Sequence, residues 1–182
     1  TKPRTKRNDL FFGMKKETSE KIVVAANFTI EPIGSPLASL LDKVSIDAEL
    51  VFAPYNQVFQ QLLDPESHFH QNRSGVNVVF LRLEDLIDSR TADLEFLKEQ
   101  TEKIRSNAAD LAKWLSSAER FSVPLFVFIC PPSARIEAEP QLLADLKSIE
   151  QSLRDAVSDV ANMYLFETGH LTSRYLIDTA DN

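Results

Sequence analysis

From Lys21 onward the chain alternates between two hydrophobic rhythms. Short runs rich in β-branched and aromatic residues read as strands, and apolar positions three and four apart read as helices. The first strand is Ile22 to Asn27 in "KIVVAAN". In "GSPLASLLDKV", Leu37, Leu40, Leu41 and Val44 have helical spacing, with Ser35 as N-cap and Pro36 at the first helical position. "DAELVFA" is a second strand, and "NQVFQQLLD" places Val58, Phe59, Leu62 and Leu63 on one helical face. "VNVVFLRL" is almost continuously apolar, as a strand covered on both faces must be. A long helix is expected from roughly Ala92 to Ser117, with Leu94, Leu97, Thr101, Ile104, Ala108, Leu111 and Leu115 on its inner stripe. "VPLFVFIC" is a fourth strand, stopped by Pro131 and Pro132, and in it Phe126→Ala is expected to cost about 3–5 kcal/mol as the loss of a buried ring. Leu142, Leu146, Ile149, Leu153 and Val157 mark the next helix, and "MYLFE" is the fifth strand.

Regular alternation of strand and helix predicts an α/β fold with a parallel sheet. Right-handed crossovers then make it a three-layer, doubly wound domain. Residues 1–20 lack this periodicity and read as a basic arm or linker, which leaves 21–182 as one domain.

Composition narrows the function classes. The net charge is -7, but residues 1–16 hold six basic residues against Asp9, so the arm is +5 and the remainder -12. An acidic body repels phosphate backbones, which argues against nucleic acid as a partner. No run approaches the ~20 apolar residues of a membrane span, so no membrane partner is expected. The polar N-terminus does not read as a secretory leader. A lone cysteine, Cys130, fits a reducing, cytoplasmic setting.

In a doubly wound sheet, ligands bind beyond the carboxyl ends of the strands, where strand order reverses. That rule gathers distant residues onto one rim. After the first strand come Asn27, Phe28 and Thr29, and after the second Tyr55, Asn56 and Gln57. Arg82, Glu84 and Asp85 follow the third, Cys130 and Ser133 the fourth, and Glu167, Thr168 and His170 the fifth. Asn27, Tyr55, Asn56, Gln57, Arg82 and Glu84 are the candidate substrate-binding residues. Asn27→Ala is expected to leave the fold largely intact, because strand-end polar groups are seldom core.

No cofactor is expected to bind directly. "AANFTIEP" stands where a dinucleotide site would carry G-x-G-x-x-G, and a turn without glycine keeps its backbone from a pyrophosphate. His68 and His70 have no partner at zinc spacing, so no metal is expected. For nucleophilic chemistry the candidates are Cys130 and Thr29, with Asp85 as base or orienter. Each has a plainer reading: a cysteine packed at a strand end, a threonine capping a turn, an acid capping a helix. Trp114 reads as packing.

Three blocks, "KIVVAANFTIEPIGSPL", "AELVFAPYNQVFQQLLDPES" and "GVNVVFLRLEDL", resemble the N-terminal domain of FkbH-like proteins, in the version embedded in nonribosomal peptide and polyketide synthases. That domain is similar to SGNH hydrolases, which implies a flavodoxin-like fold. The nucleophilic serine of an SGNH hydrolase falls at Phe28 in this chain, and of the G-x-N-D block only Asp85 survives. A carboxylate does not donate to an oxyanion unless protonated. His170 stands too early for the terminal D-x-x-H block, which leaves open whether the domain's last loop lies past Asn182. The D-x-D-x-T/V motif of the FkbH phosphatase-like domain is missing, so that activity does not carry over.

The resemblance implies a catalytically reduced SGNH-like module of an assembly line. Its partners would be an acyl or peptidyl carrier protein and neighbouring synthase domains, and it would recognise the phosphopantetheine arm or its acyl cargo. The alternative is an active acyltransferase or thioester hydrolase using Cys130 or Thr29 with Asp85.

Overall fold

A computed structural model describes residues 20–87 and 94–167. Five strands form one parallel sheet: β1 (Glu20–Ala26), β2 (Ala48–Phe52), β3 (Gly75–Leu81), β4 (Leu125–Ile129) and β5 (Met163–Glu167). Their order is β2-β1-β3-β4-β5. This doubly wound α/β architecture is the one the alternation predicts. The order reverses between β1 and β3, so the chain's first strand sits beside its third. Ile22 lies level with Leu50 on one side and Val76 on the other.

The centre of the sheet is built from the most apolar strands. Val23 to Ala26 of β1 are all buried, which the unbroken "VVAA" run requires of a strand flanked on both sides. β3 opens at Gly75, whose φ is +107°. A Cβ there would stand 2.2 Å from the Lys21 carbonyl oxygen, so only glycine lets β3 start this close to β1.

The helices are α1 (Gly34–Lys43), α2 (Val58–Leu63), α3 (His68–Gln71), α4 (Leu94–Glu99), α5 (Thr101–Leu115), α6 (Ala134–Glu137) and α7 (Pro140–Val157). α7 buries all five residues of its expected stripe. The long helix expected over 92–117 is instead two, because Gln100 interrupts it between α4 and α5. The stripe survives the break: Leu97, Ile104, Ala108, Leu111 and Leu115 are buried. α1 also starts earlier than its Ser35–Pro36 signal. A 3-10 turn over Glu31–Ile33 runs directly into it, so Ile33 is its N-cap and Ser35 lies inside the helix.

Strand alternation divides the interior. Val23, Val79, Val127 and Leu165 face one side, where α2, α5 and α7 add Leu62, Leu111 and Ile149 to one large core. Ile22, Val24, Val78, Phe80 and Phe128 face the other, with Ile30 and Ile33 from the connection into α1. Phe126 belongs to this second side, next to Tyr164 and Phe166, and is only half-buried. The full cost expected for deleting a buried ring there therefore does not apply. Trp114 packs as expected, its ring 4.6 Å from Phe59 at 84°. His70 lies edge-on to Phe121 and 3.2 Å from the Ser67 hydroxyl.

Candidate functional site at the strand ends

At the β1/β3 reversal, the carboxyl ends of three strands part around a crevice of about 470 Å³. Phe28, Thr29, Tyr55, Arg82 and Asp85 line it. β1 delivers Phe28 and Thr29, β2 delivers Tyr55, and β3 delivers Arg82 and Asp85. Tyr55 is 42% exposed, so an aromatic ring stands at the mouth.

Asn27 holds this arrangement from below. Its Nδ2 donates to the Arg82 carbonyl at 2.8 Å, and its Oδ1 accepts from the Arg82 N–H at 2.9 Å. The side chain is only 3% exposed. Asn27 thus pins the end of β3 to the end of β1, and its amide faces protein rather than ligand. Asn27 is thus part of the core, against the premise that strand-end polar groups seldom are, and Asn27→Ala would leave the Arg82 N–H and carbonyl without these partners.

Arg82 dominates the crevice. Its guanidinium carbon lies 4.8 Å from the centre of the Phe28 ring, and Nη1 is 3.3 Å from Asp85 Oδ2. Stacking over a ring face favours a cation electrostatically. Nε is buried without a hydrogen-bond partner among the described residues. Phe28, read from sequence only as the residue in a serine's place, proves to be the platform for this cation. The signal available was an aromatic residue directly after the central strand.

Asn56 and Gln57 do not line the crevice. Asn56 takes a left-handed backbone, φ +55°, which its residue type tolerates better than most. The Gln57 N–H closes a turn onto the Pro54 carbonyl at 3.3 Å, and its own carbonyl accepts from the Gln61 N–H at 3.0 Å. These two residues aim Tyr55 by shaping the turn into α2.

Cys130 and Glu84 belong to a different chamber. With Leu83, Pro132, Leu146, Lys147 and Glu150 they line a small cavity of about 50 Å³ beside α7. Glu84 is buried and accepts the Ser133 N–H at 2.8 Å, tying the segment after β3 to the segment after β4. The Cys130 N–H donates to the Leu81 carbonyl at 2.7 Å. Burial pushes the thiol pKa up, and the Arg82 charge pulls against it. Glu84 adds to the rise, while a hydrogen bond between the thiol and the Leu81 backbone opposes it. A protonated thiol is a weak nucleophile. The rim thus brings Thr29 and Asp85 into one crevice and leaves Cys130 outside it.

Thr168 and His170 lie outside the described residues, as does the side chain of Glu167. Among the described residues no cluster of three His, Cys, Asp or Glu side chains is placed to hold a metal ion. No described helix is long and apolar enough to cross a membrane. An apolar cleft of about 370 Å³ between α5 and α7, near Ala108 and Leu153, is separate from the rim.

No protein-family model matches the sequence, and no curated protein matches it. A solved structure does resemble the fold: the N-terminal part of BF1531 from Bacteroides fragilis, described as containing a phosphatase domain complexed with Mg. The TM-score is 0.63 at 14% identity, over 86% of this chain and 42% of that one. The chain therefore corresponds to less than half of that molecule. At this identity the likeness establishes an α/β fold with helices about a parallel sheet, and nothing of the phosphatase chemistry.

Proposed function

We propose that the chain is a catalytically reduced, SGNH-like binding module of a nonribosomal peptide or polyketide assembly line. It receives the phosphopantetheine arm of a carrier protein, or the acyl group on that arm, in the strand-end crevice. The observation that carries this reading is the crevice itself. It is open, lies at the strand-order reversal, and is walled by Phe28, Tyr55 and the Arg82 guanidinium. The aromatic walls suit the methyl and methylene stretches of an extended arm, and the Arg82 Nε, without a hydrogen-bond partner among the described residues, is a donor that one of the arm's amide carbonyl or phosphate oxygens would satisfy. Phe28 occupies the position where the resemblance would place a nucleophile.

The competing reading is acyl transfer to Thr29, with Asp85 as the base in the same crevice. Incubation with a carrier protein bearing an acyl-phosphopantetheine arm separates the two. The module reading expects binding with no covalent mass change, weakened about tenfold, or about 1.4 kcal/mol, in Tyr55→Ala. Equal binding of a carrier without the arm would sink it. An acyl adduct that disappears in Thr29→Ala would establish the enzyme instead, and one that disappears in Cys130→Ala would move the chemistry to the small chamber.

A further inference from the structure

Arg82 is the one cation among the described residues that line the strand-end crevice, and three neighbours fix how it can be approached. Asn27 holds its backbone by both the N–H and the carbonyl. Phe28 covers one face of the guanidinium, whose carbon lies 4.8 Å from the ring centre. Asp85 Oδ2 takes one donor, Nη1, at 3.3 Å, longer than the about 2.7–2.9 Å of a strong charge-assisted bond. A guanidinium carries several N–H donors, and no other hydrogen bond ties this one to the described residues. The side chain is 37% exposed, so it remains within reach of a ligand. Thr29, exposed in the same crevice, adds a hydroxyl.

We propose that Arg82 is a specificity-determining residue, and that the crevice selects a ligand carrying an anionic oxygen group. The inference rests on the crevice being the site of the phosphopantetheine arm, and it names what is read there: the arm's phosphate, or a carboxylate at the far end of its acyl cargo. With one face under Phe28, the guanidinium presents its edge. Parallel N–H donors along that edge match the paired oxygens of a carboxylate or phosphate. A neutral carbonyl brings no charge to that contact, and hydrogen bonds between charged groups are the stronger kind. Asp85 acts in the opposite sense. Its carboxylate orients Nη1 and repels an incoming anion, which holds the affinity below what Arg82 alone would give.

The test is a calorimetric titration of the full chain with neutral pantetheine, with phosphopantetheine, and with succinyl-pantetheine, whose thioester chain ends in a carboxylate. At least one of the anionic compounds is expected to bind about tenfold more tightly than pantetheine. Which of them does so identifies the source of the anion. Arg82→Gln is expected to erase that difference, and Asp85→Asn to strengthen the anionic compound a few-fold. The proposal is overturned if pantetheine binds as tightly as both anionic compounds, a result that keeps the arm in the crevice and removes only the anion. It is equally overturned if Arg82→Gln weakens all the compounds alike, if Asp85→Asn leaves the anion's affinity unmoved, or if nothing binds. Binding of inorganic phosphate or succinate that Arg82→Gln abolishes, with none of the pantetheine compounds bound, would uphold the anion site and sink the arm.

Discussion

The two faces of the sheet are made by the same strands and differ in almost every physical respect. On one face, α2, α3, α5 and α7 seal Val79, Val127 and Leu111 from water, and Phe69 is 0% exposed. On the other, α1 crosses only toward β2, and the rings of β3 to β5 lean mainly on one another. Alternation assigns residues to faces, but the number of helices on each face is set by the crossovers. From β1 the chain steps outward once, to β2, and then the other way through β3, β4 and β5. All the later crossovers therefore share a face.

Comparison of two phenylalanines measures that difference. Phe69→Ala, inside the closed core, is expected to cost about 3–5 kcal/mol in chemical denaturation. The loss includes its edge contact with Phe121 at 5.8 Å. A cost under about 1 kcal/mol would mean that the closed face is not the principal core.

Next in size are the buried asparagines, which fasten the sheet at its two ends. Asn77 is 0% exposed, donates to the Phe69 carbonyl at 3.0 Å, and accepts from Asn72 Nδ2 at 3.1 Å. Asn27 does the equivalent at the rim. Each change to alanine is expected to cost about 1–3 kcal/mol, since each leaves buried polar groups unpaired. If the crevice receives the carrier arm as proposed, only Asn27→Ala should also weaken that binding, because of the two only Asn27 holds the Arg82 backbone. Equal effects on binding would break the distinction between the two ends.

On the open face, half-burial cuts the Phe126→Ala cost to about 1–2 kcal/mol in chemical denaturation. A cost as large as that of Phe69→Ala would show the two faces to be equally closed.

Most of the fold was legible because periodicity is a local property. "KIVVAA" and "MYLFE" are strands, and the stripe Leu142 to Val157 lies in helix α7. The break at Gln100 was not legible, since the apolar stripe continues across it. Nor was the face on which Phe126 lands, which depends on crossovers rather than on its neighbours. At the site, strand ends were readable and side-chain directions were not. Tyr55, Thr29, Arg82 and Asp85 do share a crevice. Asn27 turns inward because a polar residue closing the central strand has backbone groups on both sides to satisfy.

Cys130 gives the smallest effect, on reactivity rather than stability, and it separates the two chambers of the rim. Its pKa is raised chiefly by burial, so at neutral pH it is protonated and alkylates more slowly than an exposed cysteine. The rate should climb with pH through a midpoint above the ordinary thiol value. Glu84→Gln keeps an acceptor for the Ser133 N–H and removes the charge that disfavours thiolate, so it should move that midpoint down. Arg82→Ala removes the opposing charge and should move it up. Tyr55→Ala, which alters only the larger crevice, should leave the profile where it was. A midpoint below that of an exposed cysteine would reverse the reading, making Cys130 an activated thiol and the small chamber the reactive one.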